Sequence, residues 1–87
     1  MVYTVEYSTR FIRVFRKIAP DLQEEIIEKV ELLKDEDNHK RLKVHKLSGK
    51  LKSIWSFSVN YKIRVTFVKP KKNVIVLGTV GTHDEVY

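Results

Sequence analysis

The strongest constraint on folding is an apolar run near the end of the chain, Val74-Ile75-Val76-Leu77. Such a run, bounded by Asn73 and Gly78, predicts a strand that is buried on both faces. A buried strand would anchor the residues after it against the fraying that is usual at a terminus. Those residues include His83 and Tyr87. We therefore expect an imidazole and a phenol to be held at the exit of a core strand.

The length of the chain, 87 residues, predicts a single domain spanning residues 1–87 with a small core. Cysteine is absent, which excludes disulfides and thiolate metal ligands. No apolar segment approaches the ~20 residues that cross a bilayer, and the N-terminus lacks the apolar core of a signal peptide. These features predict a cytoplasmic protein that has no membrane partner.

The net charge of +6 is unevenly distributed along the chain. Residues 21–37 contain eight acids and two lysines, whereas the rest of the chain contains fifteen Lys and Arg and three acids. The basic remainder should attract a polyanion, and the acidic segment should repel it. The solvated face of a helix also explains the acidic segment.

Periodicity predicts an α+β fold with the order β-α-α-β-β-β, in which a helical hairpin packs on a small, mainly antiparallel four-stranded sheet. Residues 2–7 alternate as a half-buried strand does. Ser8 or Thr9 can cap a first helix, and Asp21 with Glu24 resembles the capping box of a second. The predicted buried stripe of that second helix consists of Leu22, Ile26, Ile27, Val30 and Leu33.

Two alternating segments predict a β-hairpin within residues 55–67. Their apolar positions are Trp55, Phe57 and Val59 in the first segment and Ile63, Val65 and Phe67 in the second. A two-residue turn would place Arg64 opposite Phe57, whereas a three-residue loop pairs Phe57 with Val65. Because cross-strand partners share a face, we favour the longer loop, which places Arg64 on the polar face opposite Ser58.

Residues 40–52 contain six Lys and Arg and no acid. Phosphate binding explains such a run, as does a solvated basic loop. A second basic cluster on the first helix favours nucleic acid. Arg64 is likewise either a surface charge or a guanidinium whose planar fork matches phosphate oxygens.

Two histidines lie in opposite electrostatic surroundings. His45 lies in the basic run, which should keep its ring partly neutral and able to accept a proton, while Asp84, Glu85 and the terminal carboxylate of Tyr87 should favour a protonated His83. Such a pair suits acid–base chemistry, although two structural histidines fit the spacing as well. No ligand cluster or HExxH-type spacing predicts a metal site, and no cofactor is expected.

Several motifs together are more specific than any of these features alone. They are Leu47-Ser48-Gly49-Lys50-Leu51, Trp55-Ser56, Tyr61-Lys62-Ile63-Arg64-Val65 and the ending Leu77-Gly78-Thr79-Val80-Gly81-Thr82-His83-Asp84-Glu85-Val86-Tyr87. This set resembles the RelE/ParE superfamily of toxins from bacterial and archaeal toxin–antitoxin modules. The Gly-Thr-His ending resembles the YafQ and YoeB branch of mRNA interferases.

The resemblance implies an endoribonuclease that cleaves mRNA in the ribosomal A site without a metal, through attack of a 2′-hydroxyl on the adjacent phosphate. It implies that His45 is the general base, Arg64 stabilises charge on the phosphate, His83 is the general acid and Tyr87 stacks on or orients the substrate. Lys43, Lys46, Lys50 and Lys52 would bind phosphates of mRNA or ribosomal RNA.

The resemblance also implies a protein partner, a small antitoxin that covers the positive face. Two other functions remain open. A ParE-like inhibitor of DNA gyrase shares the fold and the strand arginine and does not cleave RNA. A basic nucleic-acid-binding module without catalysis is the third possibility.

Overall fold

Two strands of nine residues each lie at the centre of the sheet and organise the fold. The structure, a computed structural model, describes residues 1–47 and 53–86. Its strands are β1 Thr4–Tyr7, β2 His45–Lys46, β3 Trp55–Ser58, β4 Ile63–Lys71 and β5 Val74–Thr82. Its helices are α1 Thr9–Phe15, α2 Pro20–Leu33 and α3 His83–Val86, with a 3₁₀ turn at Glu36–Asn38.

The strands form one sheet in the order β1-β5-β4-β3-β2. β1 runs parallel to β5, and the other neighbours are antiparallel. The predicted α+β class and the helical pair on a mainly antiparallel sheet are confirmed. The sheet has a fifth strand, β2, in a segment that the sequence predicted as loop. A strand of two residues is too short to show a periodic pattern, and it forms because His45 and Lys46 pair with Ser56 and Trp55.

The β3–β4 hairpin has the predicted register. Phe57 pairs with Val65 and Ser58 with Arg64, and the Val59 amide donates to the Ile63 carbonyl at 2.9 Å. The loop between these strands therefore has three residues. This register keeps the aromatic and branched side chains of both strands on one face.

The helices begin at different kinds of cap. Ser8 caps α1 as predicted, since its hydroxyl oxygen accepts a hydrogen bond from the Phe11 amide at 3.0 Å. The predicted capping box at Asp21 is absent, and α2 begins at Pro20 without a side-chain cap. Proline at this position needs no acceptor because it lacks an N–H, and its fixed φ suits the first helical residue. No helix among the described residues is long and apolar enough to cross a membrane.

The core lies between the helices and one face of the sheet. Its fully buried side chains are Ile26, Val30, Leu33, Phe57, Val59, Val65, Phe67, Ile75 and Leu77. The final strand was predicted to be buried on both faces, but Val74 and Val76 are only half-buried. Ile27 was predicted in the α2 stripe and is 54% exposed. Both differences have one reason, because the helices cover a single face of the sheet and α2 turns only one stripe towards it.

Candidate functional site

The face of the sheet that points away from the helices carries polar side chains on β2, β3 and the first half of β4, and valines beyond them at Val68, Val74 and Val76. Core residues Phe57, Val65 and Phe67 occupy the helix-facing side of β3 and β4. Successive side chains of a strand point to opposite faces, so Ser58 and Arg64 lie on the other side. We call this side the open face.

Strand register arranges the open face in two rows that cross the sheet. The first row consists of His45, Ser56, Thr66 and Thr79, of which Ser56 and Thr66 are buried, and the second of Ser58, Arg64 and Gly81. The rows lie two residues apart along the strands, and His45 is two strands from Arg64. The Cα atoms of His45 and Arg64 are therefore about 12 Å apart, within reach of one substrate group through their side chains.

His45 is held by the backbone of the turn before β2. Its ring Nδ1 lies 2.9 Å from the carbonyl oxygen of Lys43. A carbonyl can only accept a hydrogen bond, so a neutral ring carries its proton on Nδ1 and has Nε2 as its basic nitrogen. Lys43 has a positive φ of 58°. This left-handed turn orients the carbonyl that selects the tautomer of His45.

The positive φ of Lys43 predicts a difference between two substitutions. A β-carbon is strained in this region and glycine is not, so Lys43→Gly should be about 1 kcal/mol more stable than Lys43→Ala. Both variants remove the same charge. Urea denaturation of the two proteins measures the difference in free energy of unfolding. Equal stabilities would show that the turn does not depend on the left-handed conformation.

Arg64 is half-buried and oriented by the hairpin loop. Its Nη1 donates to the carbonyl oxygens of Asn60 at 2.9 Å and Tyr61 at 3.1 Å. Within residues 1–47 and 53–86, no carboxylate forms an ion pair with this guanidinium. A third, longer hydrogen bond joins Nη1 to the carbonyl oxygen of Ile63 at 3.3 Å, so three backbone groups set the position of the guanidinium.

His83 lies where β5 ends and α3 begins. Gly81 of β5 pairs with Arg64, and His83 lies two residues after Gly81. The Cα atoms of Arg64 and His83 are therefore about 8 Å apart. The His83 side chain is 64% exposed, and its Nδ1 lies 3.6 Å from Oδ1 of Asp84. A protonated ring would pair with that carboxylate. The arrangement suits a group that delivers a proton to an incoming anion.

A short capping interaction fixes the turn that carries His83. Oε1 of Glu85 accepts a hydrogen bond from the Thr82 amide at 2.7 Å, and hydrogen bonding to Thr82 lowers the pKa of Glu85. Glycine at position 81 leaves room for this contact, since a β-carbon there would lie 3.0 Å from the same oxygen and 3.1 Å from Cβ of Glu85. The sequence analysis missed this role and counted Glu85 only as a charge near His83. The spacing Thr-x-x-Glu is that of a capping box, and it could have predicted this hydrogen bond from the sequence.

The strand register thus places His45 and Arg64 on the same face of the sheet, and His83 follows the ladder partner of Arg64 by two residues. Lys46 projects to the other side, where its ammonium lies 5.9 Å from the centroid of Trp55. Lys43 is exposed on the turn before β2. The remaining predicted residues, Lys50, Lys52 and Tyr87, lie outside the described residues, and their roles stay predictions. In the described ranges, no group of three or more His, Cys, Asp or Glu side chains is placed to hold a metal ion.

Several solved structures share this architecture. YafQ from E. coli strain BL21(DE3) superposes with a TM-score of 0.78 at 16% identity, over 98% of each chain. A chain of the toxin–antitoxin complex RelBE2 from Mycobacterium tuberculosis gives 0.73 at 18% identity, over 95% of this chain and 100% of that one. A chain of the archaeal RelE–RelB complex from Pyrococcus horikoshii OT3 gives 0.71 at 19% identity, over 94% and 96%.

Comparison of structures finds similar proteins, whereas comparison of sequences does not. No family model matches the chain, and no curated protein matches it. Identities of 16–19% over nearly complete chains establish a common architecture. The chain therefore has the fold of YafQ and of the matched chains of the RelBE2 and RelE–RelB complexes.

Proposed function

We propose that this protein is the toxin of a toxin–antitoxin module and that it cleaves mRNA in the ribosomal A site. The observation that supports the proposal most directly is the register of the sheet. It brings His45 and Arg64 to neighbouring rows of the open face, beside the turn that carries His83. A base, a cation and an acid are the groups that promote cleavage of RNA by transesterification through its own 2′-hydroxyl.

The reaction would proceed by in-line transfer at phosphorus. Nε2 of His45 takes the proton of the 2′-hydroxyl, and the 2′-oxygen forms a bond to the adjacent phosphorus. Arg64 stabilises the charge that develops on the non-bridging oxygens. The bond to the 5′-oxygen breaks as His83 gives that oxygen a proton, which leaves a 2′,3′-cyclic phosphate and a 5′-hydroxyl. Tyr87 would stack on a neighbouring base, and none of these steps calls for a metal.

The proposal includes the partners of such a toxin. Two of the similar structures are toxin–antitoxin or RelE–RelB complexes, which supports a protein antitoxin as partner. An antitoxin that covers the open face would block substrate and neutralise the positive charge there. The substrate would be mRNA on the ribosome, with ribosomal RNA as a further contact. That places the action of the protein in the cytoplasm.

Toe-print mapping on translating ribosomes tests the proposal. We expect the protein to produce a new mRNA end in the A site, with a 2′,3′-cyclic phosphate on the upstream fragment. A message with one 2′-deoxynucleotide on the 5′ side of the cut should stay intact at that position, because the nucleophile is missing. Cleavage of the deoxy message would contradict 2′-hydroxyl attack. Intact mRNA together with inhibited DNA supercoiling would favour a gyrase inhibitor instead.

A further inference from the structure

A basic groove lies beside the loop of the β3–β4 hairpin and adjoins the open face at Arg64. We call it the tip groove, and its volume is about 500 Å³. It is bounded by α2, by the turn before β2 and by the hairpin loop. The residues that carry the argument are Glu28, Lys29, Arg41, Lys43, Tyr61 and Arg64.

The charge of the tip groove is strongly positive. Four cations line it, and Glu28 is the one acid of the lining. Glu28 is already engaged, since its Oε1 lies 3.5 Å from the ammonium of Lys29. Arg41 and Lys43 are exposed at the rim. A groove of this charge concentrates a polyanion, and such contacts to phosphates are independent of sequence.

The hairpin loop places an aromatic ring at the rim of the tip groove. Tyr61 is 98% exposed, so its ring lies almost entirely in solvent. The backbone around it is fixed, because Oδ1 of Asn60 accepts hydrogen bonds from the amides of Lys62 and Ile63, each at 2.8 Å. A rigid loop that presents an uncovered ring is preorganised for stacking against a planar group.

Arg64 connects the two surfaces. Its guanidinium donates to the carbonyl of Tyr61 at 3.1 Å, and its position on β4 belongs to the second row of the open face. A nucleic-acid strand that places a phosphate at Arg64 can therefore continue into the tip groove. Glu24 and Glu25 of α2 line a neighbouring depression, where Glu25 Oε1 accepts a hydrogen bond from Nδ2 of Asn60 at 2.6 Å, and these acids would repel a strand that left the groove on that side.

We propose that the tip groove is a subsite for single-stranded RNA next to the scissile phosphate, in which Tyr61 stacks on a base and Arg41 and Lys43 contact phosphates. The identification of the polyanion as RNA rests on the proposed function. The subsite adds affinity for the segment that flanks the cut. It is separate from the proton-transfer groups, so it acts on binding rather than on the chemical step.

Equilibrium binding of a fluorescent eight-nucleotide 2′-O-methyl oligouridine to the full chain tests this subsite. Its blocked 2′-oxygens prevent cleavage by 2′-hydroxyl attack. We expect Tyr61→Ala to weaken binding by about 5- to 100-fold, which is the usual value of one stacked base. Tyr61→Phe keeps the ring and should bind like the parent. A probe with abasic positions should bind the parent more weakly, and Tyr61→Ala should no longer distinguish it from the intact probe.

Salt dependence separates the stacking residue from the phosphate ligands. Arg41→Ala should reduce the slope of log affinity against log salt concentration by about 0.7, because one phosphate contact is lost. Tyr61→Ala should leave that slope unchanged. Lys72→Ala is the matched control, since it removes one charge near the far end of β4, about 25 Å from Arg64. It should change binding less than twofold.

Failure of the subsite and failure of the nuclease proposal give different results. Parent-like binding by Tyr61→Ala, or no binding of the probe by the parent, would overturn the subsite. Weakened binding by Tyr61→Ala together with intact mRNA in the ribosome assay would support the subsite and overturn the cleavage proposal. Equal losses for Arg41→Ala and Lys72→Ala would show a diffuse charge effect and contradict a defined groove.

Discussion

His83→Ala should slow single-turnover cleavage of mRNA on the ribosome by about 10²–10⁴-fold, the usual contribution of a general acid. The fold should persist, because the side chain is 64% exposed and contributes no core packing. Single-turnover rates and urea denaturation of the parent and the variant check both expectations.

A substrate with a better leaving group gives the sharper test of this role. A 5′-phosphorothiolate at the cut site leaves as a thiolate, which needs no proton from the enzyme. It should restore most of the rate of His83→Ala and little of the rate of His45→Ala, because the base acts on the other oxygen. Rescue of both variants, or of neither, would be inconsistent with the assigned roles. A parent-like rate for His83→Ala on the normal substrate would remove His83 from the mechanism.

Arg64→Ala should lower the cleavage rate by about 10²–10³-fold, comparable to removal of one preorganised donor at a developing anion. Arg64→Lys keeps the charge and loses the planar fork, so its rate should be intermediate. Arg64 also donates to the carbonyls of Asn60 and Tyr61, so both variants should lose about 1 kcal/mol of stability. Cleavage rates and urea denaturation, measured on the same preparations, separate the two effects.

The control for Arg64 is a charge of the same sign at a distance. Lys72 follows β4 in the turn to β5, at the end of the strand remote from the open-face rows. Lys72→Ala should leave the rate within twofold of the parent. If Lys72→Ala slowed cleavage as much as Arg64→Ala, general electrostatic attraction would explain the effect. If the rate of Arg64→Ala recovered on cooling as the fold was restored, a structural role would explain it.

Much of the fold follows from short-range patterns. Alternation within each strand, together with the requirement that partners share a face, predicted the pairing of Phe57 with Val65 and of Ser58 with Arg64. The cap at Ser8 involves residues within one helical turn, so it too could be predicted from the sequence. The start of α2 was predicted wrongly, because proline at the first helical position and Asp21 one residue later are competing signals.

Other features depend on contacts that no local pattern contains. Strand β2 forms because His45 and Lys46 pair with residues eleven and nine positions away, and two residues are too few to show a periodic pattern. The exposure of Ile27 depends on where α2 lies against the sheet. The tautomer of His45 depends on the backbone of Lys43, whose positive φ is unusual for a lysine and was not expected from its side chain.

The candidate site was likewise predictable from the sequence only in part. Residue type and spacing made His45, Arg64 and His83 candidates, and the family resemblance implied their roles. Their common location could not be obtained from the chain, since it requires β2, β4 and β5 to lie in one sheet in a particular register. That register is selected by the burial of distant apolar side chains, a long-range effect that couples residues without regard to their separation in sequence.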